Sequence, residues 1–178
     1  RLETGELTRE QVMLGRFHEF FESEGLPTDQ VKVFNDEYQI RLGDKAFFCD
    51  HGDELVKQLK ATVKQYAVTN GTTVAQERKL RFSGLDQLLD GVFISEQVGV
   101  DKPQKAFFDA VWNEIGSYAP DEVVIVGDSL TSDIRGGKNA GILTCWYNPD
   151  HLPNKIEVTP DCTIDNLQDI LSYLDESR

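Results

Sequence analysis

Two carboxylates, one hydroxyl-bearing turn and one lysine are the residues whose types and spacing suit chemistry. Val123-Val124-Ile125-Val126 runs into Gly127-Asp128, and Asp133 follows five residues after Asp128. A strand that delivers one carboxylate to its C-terminal end, with another a turn into the next helix, offers the oxygen ligands that Mg²⁺ prefers. Asp133 taken alone also reads as a charge at a helix N-terminus. Thr69-Asn70-Gly71 closes another strand before a helix. A hydroxyl and turn amides there can bind phosphoryl oxygens, although Asn-Gly is equally an ordinary turn. Lys102 precedes Pro103, which restricts the backbone and is expected to open a helix. Its ammonium would offset the charge of a phosphate. Lys105 competes for that role, and sequence prefers neither. Together these groups point to phosphate chemistry with Mg²⁺ as cofactor.

Alternating elements are needed to bring such residues together. The capping box Thr8-Arg9-Glu10-Gln11, with Leu7 and Val12 as a hydrophobic staple, opens a first helix that Gly25 and Pro27 stop. Val12, Phe17, Phe20 and Phe21 are expected on its inner face. A second helix starts after Thr28, with Val31, Phe34, Tyr38 and Leu42 inward and Gly43 at its end. From about Ala46 the pattern changes. Helix 52–60 leads into strand Gln65-Tyr66-Ala67-Val68, and a helix covers Val74 to Leu80. Strand Val92-Phe93-Ile94 precedes the helix after Lys102, with Phe107, Ala110, Val111 and Ile115 inward. Strand 122–127, a helix from about Thr131, strand 143–146, a short strand at Cys162–Ile164 and a helix over Leu167–Leu174 complete the chain. Strands alternating with helices predict a parallel α/β sheet. The apolar run Val123 to Val126 fits a strand buried on both faces. Ligands of such sheets bind beyond the C-terminal strand ends, where Thr69, Glu96 and Asp128 fall. Gly136-Gly137 permits close helix packing.

Composition narrows the partners. The 178 residues carry 31 acidic and 18 basic side chains, a net charge of −13. That field repels polyphosphate backbones, so nucleic acid is excluded as an expected partner. A small phosphate ester is not, because local amides, a lysine and a metal override the global field. The longest apolar runs are too short to span a bilayer. Cys49, Cys145 and Cys162 are odd in number and widely spaced, which fits reduced thiols and a cytoplasmic location. His18, His51 and His151 show no metal-binding spacing.

In order and spacing, the three signals resemble the haloacid dehalogenase-like (HAD) phosphohydrolase superfamily. Thr69-Asn70-Gly71 looks like its second motif, Lys102-Pro103 its third, and Gly127-Asp128 through Asp133 its fourth. Val-Thr-Asn-Gly, Lys-Pro-Gln-Lys-Ala-Phe-Phe and Gly-Asp-Ser-Leu-Thr-Ser-Asp-Ile-Arg-Gly-Gly look most like the pyrimidine-type nucleoside 5′-monophosphate phosphatases. The resemblance implies a Rossmann-like parallel sheet core over 46–178 and a helical cap, of which 1–45 would be the later part. It implies Mg²⁺-dependent phosphomonoester hydrolysis through an aspartyl-phosphate. Asp128 and Asp133 would serve the metal, Thr69, Asn70 and Gly71 the phosphate, and Lys102 with Thr69 the catalysis. A nucleoside monophosphate is the expected substrate. A sugar-phosphate or phosphoglycolate phosphatase is the runner-up, and a phosphate-binding fragment without catalysis the third reading. The family's first motif, Asp-x-Asp on a central strand, has no counterpart in these residues. The nucleophile, the first strand and part of the cap are therefore expected upstream of Arg1.

Overall fold

The computed structural model describes residues 6–116 and 118–176. In chain order its elements are α1 (Arg9–Ser23), α2 (Val31–Gly43), α3 (Gly52–Leu59), β1 (Tyr66–Thr69), α4 (Thr73–Ser83), β2 (Gly91–Ile94) and α5 (Ser95–Val98). There follow α6 (Lys105–Ile115), β3 (Val124–Gly127), a π turn over Leu130–Ile134, α7 (Arg135–Ala140), β4 (Leu143–Tyr147), β5 (Cys162–Ile164) and α8 (Ile170–Glu176). The expected order of strands and helices is present, with boundaries shifted by up to four residues; the helix expected from about Thr131 begins as α7 at Arg135, after the π turn. Pro103 does not open α6. The helix starts at Lys105 with Gln104 as its N-cap, and Lys102-Pro103 is a cis peptide in the preceding turn. Helix α5 was not anticipated, since a four-residue segment carries no periodicity to read.

All strand pairs are parallel. β1 pairs with β2, with Thr69 opposite Ile94, and a second sheet runs β3–β4–β5, with Gly127 opposite Trp146. Among the described residues, β1 and β3 are each paired along one edge only. Successive residues of β3 feed opposite faces, as a strand period of two requires. Ile125 joins Phe107, Phe108, Val111 and Ile142 on one side. Val124 packs on the other with Leu55, Cys145, Ile164 and Ile170. Val126, expected to be buried, is 39% exposed near the C-terminal end of the strand. There β3 has β4 beside it on one edge only, so its last apolar residue is not enclosed.

Polar clamps hold the second sheet together. Asp161 Oδ2 accepts from both Thr144 N and Thr144 Oγ1 at 2.8 Å, and Lys138 Nζ lies 2.6 Å from Asp161 Oδ1. Tyr147 OH donates to Asp50 Oδ2 at 2.8 Å, and that bond, with burial, pushes the phenol up to about 12. The hydroxyl therefore remains a donor throughout the physiological range. Cys49, Cys145 and Cys162 are free thiols. Burial, together with Cys162, raises the pKa of the Cys145 thiol, which keeps it protonated and unreactive.

The first two helices pack on each other, and α2 also packs on α4. Thr8 Oγ1 accepts from Gln11 N at 3.2 Å, and Gln11 Oε1 accepts from Thr8 N at 2.8 Å, which completes the capping box. Both helices lie within the segment 1–45 expected as the later part of a cap, of which residues 1–5 lie outside the described residues. The expected inner stripe is corrected by the structure. Phe21 and Val31 are buried, but Phe20 is 50% exposed, Phe34 43%, Tyr38 37% and Leu42 38%. Helix α2 instead buries Val31, Asn35, Gln39 and Gly43, one stripe at a spacing of four. The reason is close approach to α4. A Cβ on Gly43 would lie 2.5 Å from Arg78 Cβ and 2.9 Å from the Ala75 carbonyl oxygen. The aromatic residues join α1 to α2: Phe17 meets Phe34 and Tyr38 edge-on with centroids 5.0 and 5.1 Å apart.

Candidate active site

The strand ends carry the chemistry. β1 stops at Thr69, and the chain turns through Asn70 and Gly71 to Thr72, whose side chain caps α4 by accepting from Ala75 N at 3.3 Å. Asn70 does not project freely. Its Nδ2 donates to the Lys102 carbonyl and its Oδ1 accepts from Lys102 N, both at 2.9 Å. This amide clamp fixes the backbone of the lysine beside the end of β1.

The ammonium of Lys102 is buried between the two sheets. Nζ donates to the Val68 carbonyl of β1 and to Asp133 Oδ1, each at 2.6 Å. The Lys102 and Asp133 side chains are 6% and 11% exposed. Lys105, which sequence left as an equal candidate, pairs with Asp109 four residues on, at 63% exposure. The structure thus separates two lysines that residue types could not. Burying an ion pair costs desolvation, so this pair is not there for stability alone; losing one partner would strand a charge at a cost of about 3–5 kcal/mol.

Asp133 has both oxygens engaged. Oδ2 accepts from Ser129 N at 3.1 Å while Oδ1 holds Lys102. The close approach requires a glycine at the end of β3, because a Cβ on Gly127 would lie 2.5 Å from Asp133 Cβ and Cγ. The π turn, with Ser129 Oγ accepting from Ser132 N at 3.2 Å, aims Asp133 back at the strand. Single-turn π geometry recurs at functional sites because it redirects side chains in this way. Asp128 is exposed, and its carbonyl accepts from Trp146 Nε1 at 3.0 Å.

A second set of contacts was not legible in sequence. Ser95, fully buried at the end of β2, accepts through Oγ from Gly71 N at 3.1 Å and from Arg9 Nη2 at 2.6 Å. Arg9 also pairs with Asp101, the neighbour of Lys102. The Gly71 amide, expected to face phosphate, is thereby spent on Ser95. Glu96 Oε2 accepts from Thr73 N at 2.8 Å in the first turn of α4. Ser95 was findable, since it directly follows a strand end, but Arg9 lies 86 residues away and gives no local signal.

Among the described residues no three His, Cys, Asp or Glu side chains gather as a metal site. One exposed carboxylate, Asp128, remains available at the strand ends. That fits Mg²⁺, which takes one or two carboxylates and completes its shell with water and substrate oxygens. Among the described residues no helix is long and apolar enough to cross a membrane.

The same organisation is found in known proteins. Residues 4–141 match the family model of the haloacid dehalogenase-like hydrolases. The chain is 35% identical to the HAD-hydrolase YfnB of Bacillus subtilis, over 97% of this chain and 73% of that protein. It is 34% identical to the pyrimidine 5′-nucleotidase PynA of Streptococcus pneumoniae, over 99% of this chain and 74% of that one. For the pyrimidine 5′-nucleotidase YjjG of Escherichia coli the identity is 31%, over 97% and 75%. The crystal structure of YfnB bound to magnesium superposes with a TM-score of 0.90, covering 98% of this chain and 76% of that one. A 2-haloacid dehalogenase from Pseudomonas syringae shares the fold at a TM-score of 0.72 and 23% identity. With the family model matching residues 4–141 and relatives at 31% to 35% identity over nearly all of its length, the chain belongs to the haloacid dehalogenase-like hydrolase family.

Proposed function

We propose that this chain is the phosphate-binding and metal-binding part of a phosphomonoester hydrolase that acts on nucleoside 5′-monophosphates. The buried Lys102 ammonium, held between the Val68 carbonyl and Asp133, carries the reading. A cation fixed at strand ends, with no freedom to relax, is what a transferring phosphoryl group needs. The relatives named as pyrimidine 5′-nucleotidases support the nucleotide.

In this reading the Thr69 hydroxyl and the loop after it bind phosphoryl oxygens. Lys102 faces the charge that develops between phosphate and nucleophile. Asn70 sets the lysine's backbone, and Asp133 sets its ammonium. Asp128 would hold Mg²⁺, which supplies electrostatic stabilisation of the phosphate oxygens. Asp133, with both oxygens engaged, acts by holding Lys102 and the Ser129 amide rather than by reaching the metal directly. The nucleophile is an aspartate outside these 178 residues, on a strand that pairs with the open edges of β1 and β3. It attacks phosphorus as the bond to the sugar oxygen breaks, that oxygen takes its proton from a second acid that also lies outside these residues, and water then cleaves the aspartyl-phosphate to free phosphate and the aspartate. The helices α1 and α2 act as the cap that excludes water.

Phosphate release by the complete protein from nucleoside monophosphates, sugar phosphates and p-nitrophenyl phosphate tests this. Mg²⁺-dependent turnover is expected, fastest on nucleotides and abolished by Asp128→Asn with the melting temperature unchanged. Turnover that survives Asp128→Asn removes this carboxylate from the metal. Activity from these 178 residues alone removes the external nucleophile. Similarity to a glyceraldehyde 3-phosphate phosphatase of Methanopyrus kandleri, 36% over 62% of this chain, makes sugar phosphates the comparison class.

A further inference from the structure

Arg9 is the first residue of α1, and its guanidinium reaches the strand ends. The capping box of Thr8 and Gln11 fixes the backbone at that point and so aims the side chain. A single nitrogen makes both distant contacts. Nη2 donates to Ser95 Oγ at 2.6 Å and to Asp101 Oδ1, partners 86 and 92 residues away. The Arg9 and Asp101 side chains are 20% and 10% exposed.

Each partner continues into the site assigned to phosphate. Ser95 is fully buried, and its Oγ also accepts from Gly71 N at 3.1 Å. Asp101 directly precedes Lys102, whose N–H donates to Asn70 Oδ1 and whose Nζ meets the Val68 carbonyl and Asp133. One nitrogen on α1 is thus shared between the turn after β1 and the loop that carries the lysine. Without Arg9, the buried Asp101 carboxylate loses the cation it is paired with, and a stranded charge is driven toward water. A cavity of about 430 Å³ beside the pair, lined also by Glu96, Gly99 and Gln104, gives it room to swing. Asp101 and Lys102 share a peptide unit, so that swing pulls the lysine backbone away from the Asn70 clamp.

We propose that Arg9 is a positioning residue, a pin from α1 that holds the Asn70–Gly71 turn and the Asp101–Lys102 loop together for the transferring phosphoryl group. The proposal rests on the phosphohydrolase reading above but not on the nucleotide, because both contacts end at phosphate-binding elements. Since α1 belongs to the segment read as the cap, the phosphate site is fully assembled only while that helix is seated.

The test compares the complete protein with Arg9→Ala, with Arg9→Lys and with Arg9→Ala combined with Asp101→Asn, well below their melting temperatures. The substrates are UMP and p-nitrophenyl phosphate, and inorganic phosphate is the competitive inhibitor. Arg9→Ala should lower kcat/KM about tenfold on both substrates alike and raise the phosphate inhibition constant about tenfold. A smaller folded fraction lowers kcat but leaves that constant unchanged, so the constant separates positioning from stability. Arg9→Lys again offers one nitrogen to both acceptors and should bring both values back to within about threefold of the parent. Asp101→Asn should recover part of the loss in the Arg9→Ala background, because the stranded charge is gone. Amide exchange at Gly71 and over 99–102 should quicken in Arg9→Ala while α6 keeps the parent's rates. An unchanged phosphate inhibition constant, or faster exchange confined to α1, overturns the role of Arg9. A parent that cleaves p-nitrophenyl phosphate but not UMP overturns the nucleotide reading only, because the p-nitrophenyl phosphate and exchange measurements decide on Arg9 by themselves.

Discussion

Helices α6 and α2 both carry aromatic residues at helical spacing, yet they bury opposite kinds of side chain. α6 turns Phe107, Phe108 and Val111 into the core at 0%, 2% and 3% exposure. α2 buries Asn35, Gln39 and Gly43 and leaves Phe34 and Tyr38 half open. The difference lies in what each helix packs against. α6 covers a sheet face lined by Ile125 and Ile142, where apolar area decides the orientation. α2 must approach α4 within the space a glycine leaves, and its partner there is the polar N-cap Thr72. The core helix was oriented for stability, and the outer helix for a polar contact next to the site.

Four substitutions break or sharpen that contrast, taken from the largest effect down. Phe107→Ala empties a fully enclosed position and should destabilise the fold by about 3–5 kcal/mol in denaturant titration. Gly43→Ala puts a methyl group against the Ala75 carbonyl and should cost about 1–3 kcal/mol while loosening α2 from α4, read as faster amide exchange in α2. Phe34→Ala should cost about 0.5–1.5 kcal/mol, since its edge contacts with Phe17 and Phe21 are half exposed. A loss at Phe34 as large as that at Phe107 would erase the distinction between the two helices. Lys105→Ala, on the exposed side of α6, should change stability by less than about 0.5 kcal/mol and leave turnover intact.

The clamp on the second sheet adds a pH test of the core side. Burial pushes the Asp161 carboxyl up, but Lys138 and the two Thr144 donors outweigh it and hold the group below its ordinary 3.8. A carboxyl with a lowered folded value stabilises fully above its unfolded value and loses that contribution as pH falls through the folded one. The melting temperature should therefore fall on acidification below about pH 4, and Asp161→Asn should flatten that part of the curve.

The sequence reading located the site better than it oriented its members. Thr69, Lys102 and Asp128 follow directly from strand ends and motif order, because a parallel strand announces its own end. In sequence the backbone amides of Asn70 and Gly71 are the expected phosphate donors; the fold gives the Asn70 side chain the further task of holding Lys102 and directs the Gly71 amide to Ser95. Both contacts come from partners 24 to 32 residues away, which no local pattern encodes. Phe34, Tyr38 and Leu42 were placed inward because an apolar stripe normally faces a core. Nothing in that stripe records that a glycine and an amide on the opposite side fit α4 more closely.

Local chemistry in the chain determined the capping box at Thr8, the order of strands and helices, the excess of acidic charge and the family motifs. Each depends on residues a few positions apart or on simple sums, so folding does not alter it. Tertiary structure alone decided that Lys102 rather than Lys105 is buried, that Asp133 is spent on that lysine, and that Asn35 is left without a donor. Those outcomes depend on which distant backbone approaches which side chain, and on the cost of burying a polar group, which exists only once water has been excluded.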